Sequence, residues 1–166
     1  MKRRMKAMAA GALMGFAMLA GGAVSADQQQ AAAGTIKMLI ERSSPLGFEE
    51  TLERIEANAR DMGWKVPEKW KVDFQRNFEK ITGTDIGPSR VLKMCEPFAA
   101  AKLLVKDEYK QLAAMMPCTI AVYEKSDGKT YIAMMNLDAM AQMYGGDVKD
   151  MAAELAPQME QMLRFD

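Results

Sequence analysis

Between residues 35 and 41 apolar and polar positions alternate, with Ile36, Met38 and Ile40 on one face and Thr35, Lys37, Leu39 and Glu41 on the other. That period of two predicts a strand, broken by Ser43-Ser44-Pro45. Helical spacing takes over at residues 48–62. Phe48, Leu52, Ile55, Ala59 and Met62 form a stripe, while Glu49, Glu50, Glu53, Arg54 and Glu56 lie away from it. An amphipathic helix follows, with acids near its start and Gly63 placed to cap it. Trp64, Val66, Trp70 and Val72 suggest extended chain around a turn at Pro67, and Phe74, Phe78 and Ile81 suit a short helix ended by Gly83, Gly87 and Pro88.

Residues 90–95 are apolar enough for a buried strand. Pro97 then opens a helix expected to carry Phe98, Ala101, Leu104 and Val105 on its apolar side. Residues 109–117 lead down into a strand at 118–124. Asp127-Gly128 is the clearest hairpin signal, returning through residues 129–135. The last third reads as two helices, 137–144 and 147–163, separated by Gly145-Gly146, with Pro157 expected to kink or split the second. Helices interleave with strands, yet one hairpin is plainly antiparallel. The expected class is α+β: a single mostly antiparallel sheet with helices packed on one face, in one domain over residues 35–166.

The first 26 residues belong to a different pattern. Lys2, Arg3, Arg4 and Lys6 precede an apolar run from Ala7 to Ala23, and Val24-Ser25-Ala26 supplies small residues before Asp27. This is the form of a secretory signal peptide, cleaved after Ala26, and it is expected to be cleaved rather than retained as an anchor because the run is short and glycine-containing. Residues 27–34 read as a flexible mature N-terminus. The expected location is periplasmic or secreted, with no membrane association after cleavage. Removing residues 1–26 leaves 18 basic against 22 acidic side chains, a net charge of −4. A nucleic-acid binder would carry a basic excess instead. The chain has no histidine, which excludes Ser-His-Asp and Cys-His catalysis and any His-ligated metal or haem.

A strand ending Met94-Cys95-Glu96-Pro97 leads into an Ala/Leu helix, followed by Met115-Met116-Pro117-Cys118, Ile120-Ala121-Val122-Tyr123-Glu124, Asp127-Gly128 and Met134-Met135-Asn136. With Phe48-Glu49-Glu50-Thr51-Leu52 and Gly63-Trp64 upstream, their order resembles the family known as domain of unknown function 302, over residues 36–144. The resemblance implies a compact α+β domain, open to homodimer formation, and no particular chemistry. It also implies that Cys95 and Cys118 mark an exported two-cysteine subgroup, because many relatives lack them.

Those two cysteines are the chemical candidates. Cys95 ends one predicted strand and Cys118 begins the next, so the sulfurs meet if the strands are antiparallel neighbours and part if the connection is a parallel crossover. A return path is the better fit to the segment's length. Met94, Met115 and Met116 adjoin the cysteines, and thioether and thiolate sulfurs suit a soft metal such as Cu(I), or a metallocofactor. One reading is therefore a binding or redox protein using Cys95, Cys118, Met94, Met115 and Met116, with a periplasmic redox or metal-handling partner. The other is a structural or interaction module closed by a Cys95–Cys118 disulfide, worth about 3 kcal/mol for such a loop, and self-associating through its Met-rich C-terminal helix. For Met140, Met143, Met151, Met159 and Met162, core or subunit packing is the expected role. An enzyme ranks last because no nucleophile, base and oxyanion site assemble. The carboxylates at Glu49, Glu50, Glu53 and Glu56 read as a solvated helix face.

Overall fold

The structure, a computed structural model, describes residues 37–165, all within the compact unit Ile36–Asp166. The signal peptide and the stretch 27–34 lie outside the described residues. Five strands form one antiparallel sheet: β1 (Leu39–Ser43), β2 (Lys71–Asp73), β3 (Ser89–Met94), β4 (Cys118–Glu124) and β5 (Thr130–Met135), in the order β1-β5-β4-β3-β2. Five α-helices accompany them: α1 (Phe48–Asp61), α2 (Phe74–Thr82), α3 (Pro97–Leu104), α4 (Leu137–Tyr144) and α5 (Gly146–Met162). The class is α+β, with helices packed against a single antiparallel sheet.

Local chemistry sets the centre of the sheet. At the β4–β5 turn Gly128 adopts φ +72°, a conformation that costs a residue with a Cβ, and its N–H donates to the Lys125 carbonyl at 2.9 Å. The Asp127 carboxylate accepts from the Lys129 N–H and the Tyr131 hydroxyl, fixing both sides of the turn. Alternation then sends Ile120 and Val122 of β4, Ile132 and Met134 of β5, and Leu92 and Met94 of β3 into the core. Leu52, Ile55 and Ala59 of α1 and Val148, Ala152, Leu155, Met159 and Met162 of α5 meet them there. Each large side chain so buried contributes about 1.5–3 kcal/mol. Trp64 follows α1 into the same core and is 2 % exposed; its indole N–H donates to Gln158 of α5 at 2.8 Å, so burial strands no donor.

Three expectations need correction. In α3 the buried residues are Ala99 and Leu103, whereas Phe98 and Val105 are 77 % and 75 % exposed. Glu96 caps the Phe98 and Ala99 N–H groups and so fixes where the helix starts, and in a run as apolar as this the sequence marks no single face. Pro157 does not split the last helix, which runs unbroken from Gly146 to Met162. Pro157 and Ala153, whose carbonyl loses its donor there, are both exposed, so water can take the missing N–H's place. The Met-rich helices offer no stripe for self-association: Met140, Met159 and Met162 are buried in the chain's own core, Met151 packs against it, and Met143 alone of the five is exposed. Among the described residues no helix is long and apolar enough to cross a membrane.

Candidate functional site

β3 and β4 pair antiparallel with Met94 opposite Cys118, so the strands leave and re-enter the sheet at the same end. Between them the chain makes an excursion through α3 and a 3-10 segment, Asp107–Met115. Cys95 is held at the base of this excursion by two backbone bonds to Lys65, its N–H donating at 3.0 Å and its carbonyl accepting at 2.8 Å. The next residue, Glu96, accepts from the Ala99 N–H at 2.5 Å, which anchors α3 directly above.

Cys95 and Cys118 both line a small cavity of about 30 Å³. Met115, Met116 and Pro117 close it from the end of the excursion, Ala100 and Leu112 from its middle, Met135 from β5, and Leu137, Met140, Met151 and Leu155 from α4 and α5. Glu96 is the one ionisable carboxyl group among its walls. Of the five sulfur residues singled out in the sequence, four reach this cavity. Met94 does not line it; fully buried, it packs in the core across from Cys118.

The sulfur-ligand reading is overturned. Among the described residues no three His, Cys, Asp or Glu side chains group closely enough to hold a metal ion. Burial, and then the Glu96 charge, raise the Cys95 thiol above its ordinary pKa. Burial, and then the nearby Cys95, push the Cys118 thiol up to about 11. With both pKa values raised, the two groups are neutral thiols at pH 7. The disulfide is corrected too: both cysteines are free. The cavity is thus lined by neutral thiols, thioethers and alkyl groups, surfaces that attract by dispersion rather than charge.

Sequence reasoning missed two arrangements. Glu49 and Glu56 are not merely solvated: Glu49 pairs with Arg90 of β3 at 2.5 Å and Glu56 with Lys71 of β2 at 2.7 Å, along a groove of about 440 Å³ between α1 and the sheet edge. Asp73 caps α2 through the Arg76 N–H and also reaches Arg90 at 3.2 Å. The signal was a helix face of carboxylates facing two strand cations, visible only once the strands are placed. The second is a cross-strand pair, Tyr123 and Tyr131, stacked with centroids 6.2 Å apart, with Glu41 accepting from the Tyr123 hydroxyl and from Lys125.

The family model for "Domain of unknown function DUF302" matches residues 40–165, the whole sheet but one residue and every helix described. The chain belongs to the DUF302 family. A solved relative, the uncharacterized conserved protein DUF302 from Bacillus stearothermophilus, is 25% identical; the match covers 76% of this chain and 95% of that one, with a TM-score of 0.65. No curated protein matches. The DUF302 fold therefore accounts for the sheet and its helical cover, and the cavity has to be interpreted from its own walls.

Proposed function

We propose that this DUF302 protein is an exported two-cysteine member of its family whose domain binds the apolar end of a small neutral molecule in the Cys95–Cys118 cavity. The supporting observation is the chemistry of the walls: two neutral thiols, five thioethers and aliphatic carbons converge on one space. Space for a water-sized probe begins at roughly 10–15 Å³, so a cavity of about 30 Å³ suits a methyl or ethyl group rather than a whole metabolite. Glu96 spends its charge on the α3 N-terminus, and so it does not compete for a polar ligand group. Export rests on the tripartite pattern of residues 1–26, with residues 27–34 as a flexible mature N-terminus and 35–166 as the folded domain.

Xenon titration tests the cavity. In protein carrying 13C-methyl methionine, the Met115, Met116, Met140 and Met151 signals are expected to shift saturably while that of exposed Met143 does not. Ala100→Leu, which fills the space, should abolish the shift. A wild-type response no different from that of Met143 overturns the binding reading. Export is checked separately: N-terminal sequencing of the protein from the exported fraction should begin at Asp27, and an intact Met1 in that fraction refutes cleavage.

A further inference from the structure

The sheet ends in two edge strands, β1 and β2, and they are built differently. β2 is three residues long and passes at once into α2, which leaves little edge to template another strand. β1 runs for five residues in unbroken register with β5, with no bulge and no proline. The Asn136 N–H donates to the Met38 carbonyl at 2.9 Å and the Ser44 N–H to the Thr130 carbonyl at 2.8 Å. Antiparallel alternation between those two bonds commits Ile40 and Arg42 to β5 as well, and it turns the N–H and C=O groups of Leu39, Glu41 and Ser43 outward. Among the described residues no strand meets them. We infer that this edge docks an extended peptide segment of a partner protein, which adds to the sheet beside β1 and is selected by an acidic side chain.

Exposed edges are ordinarily guarded by charged side chains. Here both charges of β1 are drawn away from the edge. Glu41 accepts from Lys125 and from the Tyr123 hydroxyl on the outer face, and Arg42 pairs with Glu160 of α5 on the core side. What stands beside the outward backbone groups is Leu39, 64 % exposed, and the small side chain of Ser43. At its Ser43 end the edge opens on a groove of about 330 Å³ whose walls include Arg42, Pro45, Leu163, Arg164 and Phe165. Glu160 offsets Arg42, whereas Arg164 is exposed and has no ion pair among the described residues, so the groove is left positive.

The register sets what the peptide must carry. Arg42 stands opposite Ile132 in the core-side row, while Leu39 lies with Glu41 on the outer side. On an antiparallel strand added to β1, the residue opposite Arg42 projects on the side of the groove. The residue three positions later, opposite Leu39, projects from the other face. An acid at the first position is placed to meet Arg164, and an aliphatic side chain at the second covers Leu39. Main-chain bonds to Leu39, Glu41 and Ser43 supply affinity, and the acid-x-x-aliphatic pattern supplies the choice of partner.

Fluorescence anisotropy on the purified protein tests the inference. The probe is a fluorescein-labelled octapeptide of Thr and Val with one Glu and, three residues after it, one Leu. Saturable binding is expected with a dissociation constant of roughly 10–100 μM. The same peptide N-methylated at the amides that face β1 should bind at least about tenfold more weakly. Replacing its Glu by Lys should weaken binding several-fold, and Arg164→Glu should reverse that preference. Ser43→Pro removes an outward N–H without touching the ladder to β5 and should abolish binding. If that variant has a lower thermal midpoint, the N-methylated peptide decides in its place. No saturable binding of the probe up to about 1 mM overturns the proposal, as do equal affinities for the methylated and unmethylated peptides. An unchanged preference in Arg164→Glu overturns the acidic selection. A wild-type dimer that Ser43→Pro converts to monomer overturns the proposal in favour of a second copy on the same edge.

Discussion

At Cys118 one thiol couples the sheet, the cavity and the folding equilibrium. It opens β4 and faces the cavity, and burial keeps it protonated up to about pH 11. In the unfolded chain the same thiol ionises near pH 9. The folded pKa is the higher one, so the stabilising contribution is complete below pH 9 and is lost as pH rises through about 11, amounting to on the order of 2 kcal/mol. Urea melts between pH 8 and 11 should show this decline, and Cys118→Ala should flatten it relative to wild type. Iodoacetamide should label Cys95 faster than Cys118 at neutral pH, because Cys95 is the less buried and both are short of thiolate. Equal rates would remove the distinction. The predicted strand ends left open whether the two sulfur residues meet, which the antiparallel β3–β4 pairing decides, and they said nothing of protonation. Protonation depends on how deeply the excursion after β3 covers them, and no local pattern encodes that cover.

Elements whose ends are set by local chemistry could be read from the sequence, and elements whose orientation depends on distant packing could not. Asp127-Gly128 predicts its hairpin because the turn satisfies its own hydrogen bonds. The 48–62 stripe predicts α1 because charged residues mark every other side of that helix. α3 shows the opposite: Phe98, Ala99, Ala100 and Ala101 are all apolar, and only the cap at Glu96 and the packing of Leu103 choose which face is buried. In α2 the helix forms as expected, yet Phe74, Phe78 and Ile81 remain exposed, with the two phenyl rings stacked at 5.5 Å. The joint between α4 and α5 carries the element-scale prediction. Gly145 sits at φ +62°, ψ −156°, a region essentially restricted to glycine, and nothing crowds the position of a Cβ there. Gly145→Ala should therefore cost about 1–3 kcal/mol through backbone strain alone, measured as a lower denaturation midpoint with an unchanged m-value. At Gly146 (φ +47°) a Cβ would also lie 2.9 Å from the Tyr109 hydroxyl. Gly146→Ala combined with Tyr109→Phe should recover part, not all, of the loss suffered by Gly146→Ala alone.

Across the described residues, ion pairs reinforce layers that the core already joins. Arg42 of β1 pairs with Glu160 of α5, Arg90 joins β3 to α1 through Glu49, and Lys71 joins β2 to α1 through Glu56. The backbone N–H of Arg76, and then the Arg90 guanidinium, hold the Asp73 carboxyl below its ordinary range. Glu41, bonded first by Lys125 and then by the Tyr123 hydroxyl, is lowered likewise. Carboxylates with lowered folded pKa values stabilise above their unfolded values, and that contribution is lost as pH falls through the folded ones. Thermal midpoints should hold steady from neutral pH down to about 4.5 and fall below it, with Asp73→Asn reducing the slope. A midpoint independent of pH down to about 2 contradicts this account.

The side-by-side exit and re-entry of β3 and β4 has a consequence for how such a protein can diversify. Residues 95–117 hang from two neighbouring rungs of the ladder, Met94 and Cys118, and they supply one side of the pocket while β5, α4 and α5 supply the other. Rungs that already touch could be joined by a tight turn, so the length and composition of this appendage are uncoupled from strand order. Ala99, Leu103 and Leu112 of this stretch are nonetheless buried in the main core, so a lineage that rewrites this wall of the recess has to refill that part of the core as well.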